Sequence, residues 1–257
     1  MQTLKLSHNP LGDGAAHPLA VCLRHLVCLH TLEIESCCLT DHFIEGHQLV
    51  SSLKRTAIVE AAIGYNDWSA QSIKTWLELL NPQSLKRLSL VGAYCDGFMP
   101  ILTSSIRLVQ DCPIQHLDLS HCNLNDDSFE QLISSLGRLA HLKKLIFRNN
   151  SKLHVSAVAD LLTRCQGYAI RIEEIDFSGC CFSHRSADAS DIRCVEALRS
   201  FLCWSKSLHR FALSFTRCQS DSTIILSLTN VWLDMFRNNA VVNQVTPHQL
   251  LLTVSVL

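Results

Sequence analysis

Thirteen cysteines and thirteen histidines supply this 257-residue chain with metal ligands and nucleophiles in quantity. The densest groupings are Cys37-Cys38, His121-Cys122 and Cys180-Cys181. Zinc sites usually take two ligands from one short loop, as in C-x-x-C, and no such pair occurs. Cys37, Cys122 and Cys180 instead occupy equivalent points of a recurring segment, where a small side chain suits a buried turn. They read as interior thiols, and no metal or cofactor is expected. Catalysis has no firmer footing. G-x-S-x-G, a Gly-rich phosphate loop and H-E-x-x-H are all absent from the sequence. Scattered His, Cys, Ser and Asp can be written into many triads, and only geometry gives such a triad meaning. The chain is read as non-catalytic, with no small-molecule substrate.

Recognition chemistry is better represented. Arg55, Arg87, His116, Lys144 and Arg210 form one spaced series, and Glu33, Asp118 and Asp176 form a second. Glu35, His8, His121, Arg148 and Asn149 add polar groups, while Val59, Val91, Ile146 and Phe215 place apolar groups among them. Partner-binding surfaces commonly combine apolar anchors with surrounding charge. The element that must position these residues is a repeat of the form L-x-x-L-x-L-x-x-[N/C]-x-L. Clear copies are Met1-Leu4-Leu6-Asn9-Leu11, Leu29-Leu32-Ile34-Cys37-Leu39 and Ile114-Leu117-Leu119-Cys122-Leu124. Others are Leu85-Leu88-Leu90-Ala93-Cys95, Leu142-Leu145-Phe147-Asn150-Leu153, Ile172-Ile175-Phe177-Cys180-Phe182 and Leu208-Phe211-Leu213-Thr216-Cys218. A third, poorer copy is read as Leu53-Thr56-Ile58-Ala61-Ile63.

The fourth positions on this reading are separated by 28, 24, 32, 29, 28, 30 and 36 residues. A period near 28 accommodates a strand, a turn and a full helix, so the fold class is α/β, a leucine-rich-repeat solenoid of ribonuclease-inhibitor type. Parallel strands should line a concave face and helices a convex one. Asn125-Asp126-Asp127 marks a helix start before Phe129, Leu132, Ile133 and Leu136. Pro18 marks another, before Leu19, Leu23 and Leu26. The turn Asn or Cys should sit inside, where Asn can bond otherwise unpaired backbone groups. Residues 1–218 are assigned to the repeats and 219–257 to an irregular cap or tail, with Asn238-Asn239 and Pro247 as breakers. The first strand starts close to Met1, with no room for a capping unit, so the chain is expected to be a fragment, an incomplete gene model or the continuation of a longer solenoid.

Net charge is −1 and the pI about 6.9, which gives no global positive field for DNA or anionic lipid. The longest apolar stretches, 224–236 and 250–256, fall short of the ~20 residues of a membrane helix. No membrane association is expected. An odd cysteine count without a signal-like start points to a reducing compartment, nucleus or cytoplasm.

The opening Leu4-Lys5-Leu6-Ser7-His8-Asn9-Pro10-Leu11-Gly12-Asp13-Gly14 resembles the start of the leucine-rich domain of Tonsoku-like proteins. The stretch from Cys37 to Leu53 with Phe43 and His47-Gln48, the Leu117-Asp118-Leu119-Ser120 repeat and the Phe177-Ser178-Gly179-Cys180 repeat follow in similar order and spacing. The resemblance spans residues 1–218; the tail departs from it. It implies a nuclear location and protein partners from a complex of replication-fork repair and homologous recombination. The family's histone-reading ankyrin part has no counterpart here, and no family motif transfers residue by residue. The expected partner-binding residues on the concave face are Glu33, Glu35, Arg87, Asp118, His121, Lys144, Ile146, Arg148, Asp176, Arg210 and Phe215. A GTPase-activating accessory and a direct nucleic-acid binder are the alternatives that share this fold.

Overall fold

The computed structural model describes residues 1–94, 97–183, 189–205, 207–216, 227, 229–231, 233–234 and 251–256; among these, the side chains of 181–183, 189–191, 214–216 and 251–256 lie outside the description. The chain divides into two compact units, Met1–Cys122 and Asn123–Leu257. In the first, strands β1 (Thr3–Lys5), β2 (Thr31–Glu33), β3 (Glu60–Ala62), β4 (Arg87–Ser89) and β5 (His116–Asp118) pair in parallel, in chain order. Helices α1 (Ala16–Leu23), α2 (Asp41–Glu45), α3 (His47–Leu53), α4 (Ala70–Leu79) and α5 (Phe98–Leu108) connect them. The second unit holds α6 (Asp126–Ile133), β6 (Lys144–Ile146), α7 (Val155–Gly167), β7 (Glu174–Ser183), α8 (Ala189–Trp204), β8 (Arg210–Thr216) and β9 (Leu251–Val256). Here too the strands pair in parallel and in order. This is an α/β leucine-rich-repeat fold with an open parallel sheet.

Register shows why the repeat builds it. Leu4, Leu32, Ala61, Leu88 and Leu117 are successive partners, and so are Leu145, Ile175 and Phe211. From Leu32 to Phe211 all of these side chains are buried, as expected when alternate residues of a strand share one face. The third copy needs correction. Its strand centres on Ala61, five residues beyond Thr56, and the repeat is Ile58-Ala61-Ile63-Asn66-Trp68. The fourth positions then lie 28, 29, 27, 29, 28, 30 and 36 residues apart. Arg55 consequently leaves the strand series for the turn after α3, and Glu60 takes its place. Within the stretch expected to be irregular, 251–256 form β9, paired with β8 as Phe211 to Leu252.

The turn residues lie inside, as the sequence led one to expect, and the cysteines also bond the backbone. Cys37, Cys122 and Cys180 are buried, and their thiols donate to the carbonyls of Leu6, Leu90 and Phe147 at 3.2, 3.2 and 3.0 Å, one repeat back. Asn66 does more: its amide donates to Ile34 O at 2.8 Å, and its oxygen accepts from Cys37 N at 2.9 Å and Leu39 N at 3.2 Å. Backbone groups that no strand ladder reaches are thereby satisfied. Helix starts are coupled between repeats as well. Asp13 accepts from Thr40 N at 2.7 Å, Asp41 from Ser69 N at 2.8 Å, and Asp126 from His154 N at 3.0 Å. Asn125 caps α6 by accepting from Ser128 N, and Ser128 returns the bond to the Asn125 backbone. Phe43, Trp68 and Trp76 cluster in the core of the first unit, and Phe129, Phe147 and Phe177 in that of the second.

Candidate partner-binding surface

Positions 3, 5, 7 and 8 of the repeat carry the side chains that the core does not use, and the two units arrange them differently. In the second unit, Lys144, Arg148, Glu174, Asp176 and Arg210 form one ion-paired group. Asp176 lies at its centre and is fully buried. Arg148 approaches Asp176 Oδ2 with Nε at 2.8 Å and Nη2 at 2.7 Å, and Arg210 Nη2 lies 3.2 Å from the same oxygen. Ser178 N donates to Asp176 Oδ1 at 2.8 Å. Burial pushes the Asp176 carboxyl upward, but the bonds from Ser178 and Arg148 and the charge of Arg148 outweigh it, leaving the acid below its ordinary value. Glu174, also buried, pairs with Lys144 at 3.1 Å and Arg210 at 2.6 Å. Arg148 is exposed, Lys144 and Ile146 are half-buried, and the register sets Ile146 beside Asp176.

Asp176 was expected to face a partner; its burial makes it a positioning group for Arg148 and Arg210 instead. The same pairing bears on nucleic-acid binding. A basic row would have to stand clear of acids to track a phosphate backbone, and Lys144 and Arg210 are tied to Glu174. Phe215 belongs to β8, but its side chain lies outside the described residues.

In the first unit Glu33 pairs with Lys5 at 3.0 Å, and Arg87 is exposed beside Glu60. Glu35 reaches across β3, where Ala62 and Gly64 are small, and accepts a short hydrogen bond from Ser89 Oγ. Asp118, the register partner of Ser89, accepts from Ser120 N at 3.0 Å and Ser120 Oγ at 2.6 Å. Position 8 is left-handed in the first seven repeats: His8, Ser36, Tyr65, Gly92, His121, Asn149 and Gly179 have φ between 50° and 73°. Glycine avoids crowding at two of them besides supplying the conformation. A Cβ on Gly92 would lie 2.5 Å from the Tyr65 ring, and one on Gly179 would overlap the Asn149 side chain. Tyr65 lies across Gly92, its ring 5.6 Å from that of His121.

Glu33, Glu35, Arg87, Asp118 and His121 therefore share the strand side of the first unit, and Lys144, Ile146, Arg148, Asp176 and Arg210 that of the second. Sequence reading missed Glu60, Gly64 and Tyr65 because the third repeat was set five residues early. Asn66, 29 residues after Cys37, is the signal that would have placed it. Glu174 stands at position 3 and was legible but overlooked. Six of the ten described cysteines are buried, whereas Cys22, Cys28, Cys38 and Cys203 are exposed.

Comparison with known proteins agrees with the repeat. A family model described as Leucine Rich repeat matches residues 110–129. The Tonsoku-like protein of Mus musculus is 27% identical over 186 residues, which is 70% of this chain and 14% of that protein. NACHT, LRR and PYD domains-containing protein 3 of Rattus norvegicus is 29% identical over 178 residues, covering 57% of this chain and 17% of that protein. The chain thus spans a small part of the curated relatives it matches. Among solved structures, a chain from the Rad7 and Elc1 complex in yeast superposes with a TM-score of 0.58 over 90% of this chain and 60% of that one, at 17% identity. The chain resembles a leucine-rich-repeat region of a Tonsoku-like protein.

Proposed function

We propose that the chain is a non-catalytic docking module, the leucine-rich part of a Tonsoku-like scaffold, and that its partners belong to a nuclear assembly acting in replication-fork repair and homologous recombination. The repeat fold and the likeness to Tonsoku-like proteins support a role in protein interaction. The observation that carries the site is the ion-paired group of the second unit. Buried Asp176 and Glu174 hold Arg148, Lys144 and Arg210 in fixed positions, and apolar Ile146 stands among them. Cations restrained in this way lose little entropy when a partner engages them.

The test is capture of proteins from nuclear extract by the purified chain, identified by mass spectrometry. Ile146→Glu should weaken capture of the principal partner by about 1 to 3 kcal/mol with little change in melting temperature. Arg148→Glu should act too, more strongly at low salt than at high salt. Undiminished capture by both variants would remove this face from consideration.

A further inference from the structure

Carboxylates on the two strand faces are compensated differently. In the second unit Glu174 and Asp176 are each bound by cationic side chains. In the first, Glu35 and Asp118 form no salt bridge among the described residues, and the second oxygen of each, Glu35 Oε2 and Asp118 Oδ2, receives no hydrogen bond there. They are close to one another. Glu35 is bonded to Ser89, and Ser89 is the direct register partner of Asp118, one parallel-strand spacing of about 4.8 Å away.

Beside them stands Tyr65, which is 42% exposed although it is built into the turn. Its backbone is left-handed at φ 50°, its ring is pressed against Gly92, and the His121 ring lies at its side. Its hydroxyl is pushed up first by burial and then by Tyr94, Asp118, Cys122 and Glu35, so both carboxylates act on it electrostatically. Tyr94, also nearby, is 62% exposed. The patch thus combines two uncompensated acids with aromatic surface. A metal is the poorer occupant, because no group of three or more His, Cys, Asp or Glu suited to a metal ion occurs among the described residues.

We propose that the Glu35–Asp118–Tyr65 patch receives the guanidinium of an arginine in a basic segment of a protein partner. A guanidinium is planar and carries five donors in a rigid fork, so it can bridge two carboxylates while its flat face lies against an aromatic ring; an ammonium also has several donors but is compact and strongly hydrated and has no such face. Both acids already have one oxygen held by serine, which fixes them before the ligand arrives. This inference rests on the protein-docking reading above and supplies the chemistry of one partner segment.

The experiment uses the full chain and a fluorescein-labelled heptapeptide of alternating arginine and serine, read by fluorescence anisotropy. The control peptide carries citrulline, the neutral isostere, in place of arginine. Wild-type protein should bind the arginine peptide at least tenfold more tightly than the citrulline peptide, and a lysine peptide should fall between them. The Glu35→Gln, Asp118→Asn double variant should lose at least tenfold for the arginine peptide. Tyr65→Asn, which tolerates the left-handed backbone, should lose several-fold. Equal binding of the arginine and citrulline peptides by the wild-type protein overturns the proposal without reference to any variant's folding. So does a double variant that melts like wild type and binds arginine as well. If the peptide result is negative while Ile146→Glu still weakens capture of a nuclear partner, the patch assignment fails and the docking reading stands. If capture also ignores Ile146→Glu and Arg148→Glu, the docking face fails separately.

Discussion

Asp176 shows how a single buried charge can organise a surface without belonging to it. Its carboxylate is fully buried, yet it accepts from Ser178 and Arg148 and contacts Arg210, so its ionised form is the one the fold favours. A carboxyl held below its ordinary value stabilises the fold fully at neutral pH. That stabilisation is lost as pH falls from about 4 down through the folded value. Asp176→Asn should therefore lower stability by about 2 kcal/mol at pH 7, with the two arginines partly solvated and able to turn outward. The difference from wild type should shrink as the melting experiment is repeated toward pH 3. A constant difference across that range would assign the effect to packing. Arg148 should also become more mobile, and with it any capture that depends on Arg148.

At the scale of the element, the close approach of one turn to the next decides what each position tolerates. Gly64 has no left-handed requirement; it is small because a Cβ there would run into the backbone nitrogen and carbonyl oxygen of Val91. Backbone cannot swing aside as a flexible side chain can, so Gly64→Ala should destabilise by about 1 to 3 kcal/mol, the usual cost of overpacking. It should also disturb the Glu35 to Ser89 bond that passes over β3. Asn125→Ala offers a calibrated comparison. It removes the cap of α6 and should cost about 1 kcal/mol, with the strand face of its unit unchanged. Urea unfolding of the two variants separates these outcomes; equal stability of Gly64→Ala and wild type would mean that the β3 turn can move away from Val91.

Over the whole molecule, the cysteines report how completely the repeats are folded. Cys37, Cys112, Cys122, Cys165, Cys180 and Cys194 are buried, and burial pushes the Cys165 thiol up to about 12. Cys37 and Cys112 are raised by burial as well. Burial shields all six from the reagent, so they should resist alkylation at pH 8 while Cys22, Cys28, Cys38 and Cys203 react. Iodoacetamide labelling followed by peptide mapping, before and after denaturation, checks this residue by residue. Labelling of Cys165 in the native protein at the rate of Cys22 would contradict the packing of α7.

What the sequence determined by itself was the period, and with it the fold. Leu117-x-Leu119 with Cys122 and Leu124 is a local pattern, and a local pattern survives translation into any tertiary setting: alternate strand residues must go inward, and the turn residue must bond its neighbours. The Asn125 cap and the buried turn cysteines were legible for the same reason. The third repeat was not. Leu53-x-x-Thr56-x-Ile58 imitates the pattern because its ends are large and aliphatic, whereas the true copy carries Ala61 where a leucine is expected and Trp68 at its end. Asn66, 29 residues after Cys37, favours the later copy, and register against Leu32 and Leu88 decides between them, since a strand's place in a sheet is set by its neighbours. The same holds for the surface. Position in the repeat indicated that Asp118 and Asp176 were equivalent, and the tertiary structure separated them: cations from neighbouring strands close over Asp176, while Asp118 is held by Ser120 and forms no salt bridge among the described residues.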